Sequence, residues 1–221
     1  MKEIIVNDYP KSALAEEINT IKTNLKFSAV NNKHQVILIT SSIAGEGKSF
    51  IAANLATSYA NSKKKVLLMD CDLRKGRQHK IFNLDQNNGL SNFLVLETKV
   101  NSISKYIKQT EISNLSILPS GTIPPNPIVL LENSKMVELL TLLRKEYDII
   151  ILDGVPVNMF TDSLLLSKLA DNILVVAEAR KTTKEMLLNT KDALNAVNAS
   201  VTGVILNQVK LKKNKHYRSE Y

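Results

Sequence analysis

The sequence predicts an α/β protein built on a doubly wound, mostly parallel sheet with helices on both faces. Short apolar runs rich in β-branched residues recur at positions 36–39, 66–69, 115–118, 149–152, 173–176 and 204–206. Their lack of polar alternation marks strands buried on both faces. Stretches of helical periodicity lie between them, and strands alternating with helices form parallel sheets through crossover connections. The chain has 221 residues with no internal repeat and no low-complexity tract. That exceeds the common domain of about 150 residues without reaching two, so one full-sized domain with appendages is expected.

Taken in order, Leu14, Ile18, Ile21 and Leu25 recur at helical spacing and make residues 12–28 one amphipathic helix, placed to cover the sheet. Residues 1–34 are therefore an N-terminal segment, and the domain proper runs over 35–207. Inside it, the strand at 36–39 leads into a helix at 48–60 and then the strand at 66–69. Helices at 129–145 and 184–197 separate later strands. Residues 121–127, with Pro124, Pro125 and Pro127, read as a surface turn rather than a linker. Residues 208–221 carry Lys210, Lys212, Lys213, Lys215 and Arg218 without apolar periodicity, the signature of a mobile basic tail.

Hydrophobic content of 44% and charged content of 23% exclude collagen-like, disulfide-framework and disordered classes. The single Cys71 has no partner for an internal disulfide, which favours a reducing compartment. Residues 1–9 hold no apolar signal-peptide core, and no apolar run approaches the ~20 residues of a membrane span. A cytoplasmic chain is expected, held at a membrane only by a partner. The net charge of +8 is concentrated. Residues 61–80 hold seven Lys or Arg against two Asp, and residues 208–221 hold five against one Glu, so the remainder is nearly neutral. Aromatics are 5% of the chain with no Trp, too few for the stacking platforms of nucleic-acid binding.

Three motifs carry chemistry. Two of only seven glycines fall in Gly45-Glu46-Gly47-Lys48-Ser49, between the first strand and its helix. There a glycine loop wraps its N–H groups around phosphate, the helix adds its positive end, Lys48 reaches the outer phosphates and Ser49 offers a hydroxyl to Mg²⁺. Ser42 stands where the strict pattern has its first glycine. The second motif is Asp70 and Asp72, which project from one side of a strand's C-terminal end, where doubly wound sheets bind ligands. They supply hard oxygen for Mg²⁺ and a proton acceptor for a hydroxyl nucleophile. Cys71, between them, points the other way as small core filler. Asp153, ending the strand at 149–152, is the third and suits Mg²⁺ held directly or through water.

With these motifs in place, the sequence resembles the bacterial tyrosine kinases (BY-kinases) of capsule and exopolysaccharide synthesis, in the form where the kinase is a separate cytoplasmic chain. The resemblance runs over nearly the whole chain: residues 41–49 as Walker A, 69–74 as Walker A′, 149–153 as Walker B, Gly89-Leu90-Ser91, Leu118-Pro119-Ser120-Gly121, Pro124-Pro125-Asn126-Pro127 and residues 203–207. It implies a P-loop NTPase of the deviant-Walker, MinD-like kind that uses ATP and Mg²⁺. Nucleotide would be held by Gly45, Glu46, Gly47, Lys48, Ser49 and Phe50, with Asn207 at the adenine. Ser49, Asp70 and Asp153 would hold Mg²⁺. Lys48, Asp70 and Asp72 would be catalytic, with Asp72 the candidate base and Asp70 able to exchange roles with it.

The resemblance further implies phosphoacceptors Tyr217 and Tyr221 in the tail, phosphorylated by a neighbouring subunit. The family's Glu-x-x-Arg-x-x-Arg subunit contact maps to Glu16, Asn19 and Lys22, where Arg's planar fork is missing, so a ring and a dimer both stand. The implied partners are a membrane chain-length-determinant protein, whose cytoplasmic tail activates the kinase and recruits it to the inner face of the membrane, and a cognate tyrosine phosphatase. Two other functions fit the same motifs. One is a MinD- or ParA-like partition or positioning ATPase, although the signature Lys of that class is Ile43 here. The other is a weakly active ATP-binding scaffold of the polysaccharide machinery.

Overall fold

A computed structural model describes residues 3–27, 36–96 and 99–210. Among these described residues seven strands form one sheet: β1 (Val36–Ser41), β2 (Val66–Asp70), β3 (Lys108–Gln109), β4 (Leu115–Leu118), β5 (Ile149–Pro156), β6 (Asn172–Glu178) and β7 (Gly203–Asn207). Their spatial order is β3-β4-β2-β5-β1-β6-β7, parallel throughout except for the antiparallel edge pair β3–β4. The chain leaves β1 toward β2 on one side, and crosses from β5 over β1 to β6 on the other. β1 therefore lies at the reversal of strand order, and its C-terminal end opens into the crevice where such sheets take ligands.

The two apolar layers follow from the period of two along each strand. Val36, Leu38, Leu67, Met69, Ile150 and Leu152 face one core, with α5 (Leu90–Leu96), α7 (Ser134–Glu146), α8 (Asp162–Ser167) and α9 (Lys184–Ala196). Ile37, Ile39, Val66, Leu68, Ile149 and Ile151 face the other, beneath α3 (Lys48–Asn61). Cys71 belongs to the first core, fully buried, as its position between the two aspartates predicts.

Helix α3 is buried along most of its length. The reason lies outside it: α1 (Ile5–Asp8) and α2 (Ala13–Phe27) pack on α3. The N-terminal amphipathic helix thus covers the helix that covers the sheet, a third layer, where the sequence predicted direct contact with the sheet. Small side chains, Ala52, Ala53, Ala56 and Ala60, let α3 be approached from both sides. Asn54 fixes this arrangement. Its Oδ1 accepts the Val6 N–H at 3.1 Å, and its Nδ2 donates to the Glu3 carbonyl at 2.9 Å.

The helix predicted over 129–145 is two, α6 (Pro127–Glu132) and α7. Asn133 ends one and caps the other: its backbone is extended (φ −66°, ψ 139°) and its side chain accepts the Lys135 N–H at 2.9 Å. A capping Asn competes with helical hydrogen bonding, so an unbroken apolar period does not guarantee an unbroken helix. The elements α1, α4 (Gln78–Ile81), α5, α8 and β3 are too short to show a period and were absent from the expected pattern.

Candidate active site

The loop after β1 turns at Gly45 (φ +89°) and Gly47 (φ +93°), and Gly47 caps α3. A Cβ on Gly47 would lie 2.1 Å from Asn207 Nδ2, so the site requires glycine for space as well as for backbone conformation. Asn207, ending β7, donates from that Nδ2 to the Glu46 carbonyl at 2.9 Å. The late strand thereby holds the loop from behind. The first N–H groups of any helix lack intrahelical acceptors, so the N-terminal end of α3 offers the loop the donors an anion needs.

Glu46 turns its side chain away from the loop's concave side, fully buried. Its Oε2 accepts the Ile43 N–H at 2.8 Å, and its Oε1 accepts the Glu178 N–H and the Thr182 hydroxyl. It braces the loop, leaving its N–H as the group a nucleotide can use. Phe50 is half-buried against the α3 core, so its contribution to the cradle is likewise through the backbone.

Lys48 Nζ lies 3.4 Å from Asp72 Oδ2, which brings together the loop cation and one predicted carboxylate. The other oxygen of Asp72 accepts backbone N–H groups of Arg74 (3.2 Å) and Lys75 (2.8 Å). Asp70 and Asp153 are register partners on the adjacent strands β2 and β5, both fully buried. Each keeps one oxygen, Oδ1, without a hydrogen-bond partner among the described residues. Burial pushes the Asp70 carboxyl well above the usual range, reinforced by Asp153 and opposed by the Gln78 N–H. Asp153 is raised by burial too, against the lowering pull of Lys48, Gln78 and Ser49.

Gln78 joins this group unannounced by any motif. Its N–H donates to Asp70 Oδ2 (2.9 Å), and its Nε2 donates to Asp153 Oδ2 (2.8 Å) and to the Ser49 carbonyl (3.0 Å). Its Oε1 is buried without a partner among the described residues. A lone amide in a four-residue helix has no pattern to betray it. Asp70 Oδ1, Asp153 Oδ1 and Gln78 Oε1 are buried hard donors without partners among the described residues, and the Ser49 side chain lies within hydrogen-bond reach of Asp153, a donor set that suits Mg²⁺. Among the described residues no cluster of three His, Cys, Asp or Glu stands as a metal cage. Mg²⁺ commonly takes one or two carboxylates and completes its shell with phosphate and water.

Of the residues expected to join subunits, Glu16 is exposed. Asn19 and Lys22 are engaged within the chain: Asn19 Oδ1 accepts from the Ser58 hydroxyl at 2.6 Å, and Lys22 Nζ reaches the Ser58 carbonyl (3.2 Å) and the Ser62 hydroxyl (2.7 Å). Tyr217 and Tyr221 lie outside the described residues.

A glycine loop between a buried strand and a helix, with carboxylates closing two neighbouring parallel strands, defines a P-loop nucleotide-binding protein with a second acidic strand. A family model described as an AAA domain matches residues 34–205. The chain is 38% identical to the tyrosine-protein kinase YwqD of Bacillus subtilis, over 98% of this chain and 90% of that one. The crystal structure of the chimerical protein CapA2B2 matches with a TM-score of 0.89 and 38% identity, over 96% of this chain and 92% of that one. The kinase domain of Escherichia coli tyrosine kinase ETK matches with a TM-score of 0.86 and 25% identity, over 99% and 84%. This chain belongs to the bacterial tyrosine-protein kinase family. The cell division ATPase MinD of Pyrococcus furiosus, at 22% identity and a TM-score of 0.63 over 78% of this chain and 71% of that one, shares the fold alone.

Proposed function

We propose that the chain is an ATP-dependent protein-tyrosine autokinase that phosphorylates Tyr217 and Tyr221 in the tail of a neighbouring subunit and regulates capsular or exopolysaccharide polymerisation or export. The observation that carries this reading is the meeting of Lys48 with Asp72 at 3.4 Å, in front of the buried pair Asp70 and Asp153. Bound MgATP supplies the transferable phosphoryl group, its charge partly neutralised by the cation. The loop N–H groups and Lys48 would orient the phosphates. Asp70 and Asp153, with Ser49, would hold Mg²⁺ directly or through water, and Asn207 would bracket the adenine side of the loop.

Asp72 Oδ2 would accept the tyrosine hydroxyl proton as the tyrosine oxygen bonds to phosphorus and the bond from phosphorus to the bridging oxygen breaks, leaving ADP. Asp70 suits the base role less well, because its carboxyl is fully buried and its unpartnered Oδ1 is among the oxygens suited to Mg²⁺. Phosphoryl transfer depends on positioning and on cations more than on covalent catalysis, which fits a site made of a cradle, one Lys and carboxylates.

A chain-length-determinant protein of the membrane would activate the kinase through its cytoplasmic tail and place it at the inner face, and a cognate phosphatase would reverse it. Consistent with dependence on such a partner, no helix among the described residues is long and apolar enough to cross a membrane. With Asn19 and Lys22 turned onto α3, the self-association through α2 would rest on Glu16 and differ from an Arg-based ring.

The test uses γ-labelled ATP, Mg²⁺ and the activator's cytoplasmic tail with wild type, Lys48→Met and Tyr217→Phe/Tyr221→Phe. Label on the tail tyrosines that is lost in Lys48→Met is expected. Phosphate release without labelled protein would indicate a positioning-type ATPase, and nucleotide binding with neither would indicate a scaffold.

A further inference from the structure

The segment after β2 sends Arg74 away from the nucleotide loop and toward the far side of β5. There its guanidinium forks onto Asp162, with Nε to Oδ1 and Nη2 to Oδ2 both at 3.1 Å. The ring of Phe160 lies beneath it, 4.4 Å from the guanidinium carbon to the ring centroid. The Asp162 side chain is fully buried and that of Arg74 largely so, at 28% exposure. A two-point, buried, aromatic-backed pair is a fixed joint, unlike a surface ion pair, and parting it would strand a buried carboxylate.

What the joint holds is the turn that aims Asp72. The Arg74 and Lys75 N–H groups both donate to Asp72 Oδ1, so the residue whose side chain is bolted down also pins one carboxylate oxygen. The other oxygen is left facing Lys48. Asp162 opens α8, a few residues past the strand that carries Asp153. The joint therefore ties the Asp72 turn to the other carboxylate-bearing strand and sets the two acidic motifs at a constant separation.

We propose that the Arg74–Asp162 pair, seated on Phe160, is a positioning clamp that aims Asp72 Oδ2 at the acceptor hydroxyl. The proposal rests on the reading of Asp72 as the base. Arg74 and Asp162 act through Asp72 and do not touch the reacting atoms. A misplacement of about 1 Å in a reacting group costs on the order of 100-fold in rate, which is the scale of effect the clamp should control. Lysine keeps the charge of Arg74 and loses the fork, so it is the informative replacement.

In the full chain, assayed with the activator tail as above, Arg74→Lys and Asp162→Asn should each lower turnover about 10- to 100-fold. Equilibrium affinity for a fluorescent ATP analogue should stay near wild type, while the melting temperature should fall, because each change breaks a buried two-point pair. The double variant should be no worse than either single one, because both break one joint. In an Asp72→Asn background neither change should reduce residual turnover further. Additive losses, a fall in nucleotide affinity that matches the fall in turnover, or undiminished turnover in the isosteric Asp162→Asn would each overturn the clamp. Asp162→Asn decides the matter if Arg74→Lys does not fold. A wild-type rate in Asp72→Asn would overturn the base assignment and the clamp's purpose together. That result is distinct from failure of the clamp alone, in which Asp72→Asn is inactive and Asp162→Asn is not.

Discussion

Asp70 and Asp153 sit side by side on adjacent strands, without solvent, and with carboxyls whose proton affinity burial has raised. In the metal-free protein each therefore binds its proton more tightly than in the unfolded chain, where a carboxyl titrates near 3.9. For such a pair the contribution to stability is greatest below the unfolded value and is lost as pH rises through the raised folded one. Asp153→Asn should remove its own share of that loss and the repulsion it exerts on Asp70, leaving the part due to burial of Asp70. In EDTA at pH 7.5 the variant is expected to melt about 2–4 °C above wild type for each kcal/mol recovered, and the gap should close toward pH 4. Calorimetry across pH measures both, and an equal gap at all pH values would refute it. Gly47→Ala acts differently: its Cβ would collide with Asn207, so nucleotide affinity should collapse, with about 1–3 kcal/mol of stability lost to backbone strain. Titration with a fluorescent nucleotide reads the first and denaturant unfolding the second. The residues of this site divide sharply in legibility. Lys48, Ser49, Asp70, Asp72 and Asp153 were visible because strand ends and a glycine loop mark them in the chain. Gln78, which bonds Asp70, Asp153 and Ser49, was invisible because amide side chains carry no pattern. Glu46 was legible as a loop residue, but which way its carboxylate turns depends on Thr182 and Glu178, more than 130 positions away.

Among the elements, the strands end within four residues of their apolar runs, and β4 coincides with its run, because burial on both faces demands continuous apolar residues. β5 ran longest beyond its expected end, from 152 to Pro156, and Gly154 lets it pass Ser163, whose Oγ would lie 2.5 Å from any Cβ there. Helices were less faithfully read. Asn133 divided one, and the amphipathic face of α2 proved to be cut for another helix, since an apolar stripe records that it is covered and not by what. Asn54 marks this joint between elements. Asn54→Ala would leave the Val6 N–H and the Glu3 carbonyl without their partner at a largely buried contact. About 1–3 kcal/mol of destabilisation is expected, measured by chemical denaturation, together with faster hydrogen exchange confined to residues 3–8.

At the scale of the whole molecule, the fold class was legible because alternation of buried strands with helices admits few topologies. The order of strands was not, because nothing local says that β5 inserts between β2 and β1. That insertion is what sets Asp153 beside Asp70. The function drew on the same economy: a near-neutral body carries the chemistry, and the basic clusters lie in the segment around the acidic strand and in the tail. Transfer between subunits makes a prediction at this scale. Lys48→Met chains with intact tyrosines, mixed with active chains lacking residues 211–221, should become labelled from γ-labelled ATP when the activator tail is present. Mass spectrometry should place the label on Tyr217 and Tyr221 of the inactive chain, and an unlabelled inactive chain would exclude transfer between subunits.

Helix α3 has a mechanical consequence. Its 14 residues make a stiff rod about 21 Å long. One tip is the phosphate cradle, and the other, at Ser58 and Ser62, is gripped by Asn19 and Lys22 of α2. The fulcrum is the packed sheet beneath. A push on the outer helix would therefore reach the phosphate cradle along one continuous helix, with no loop between the grip and the cradle.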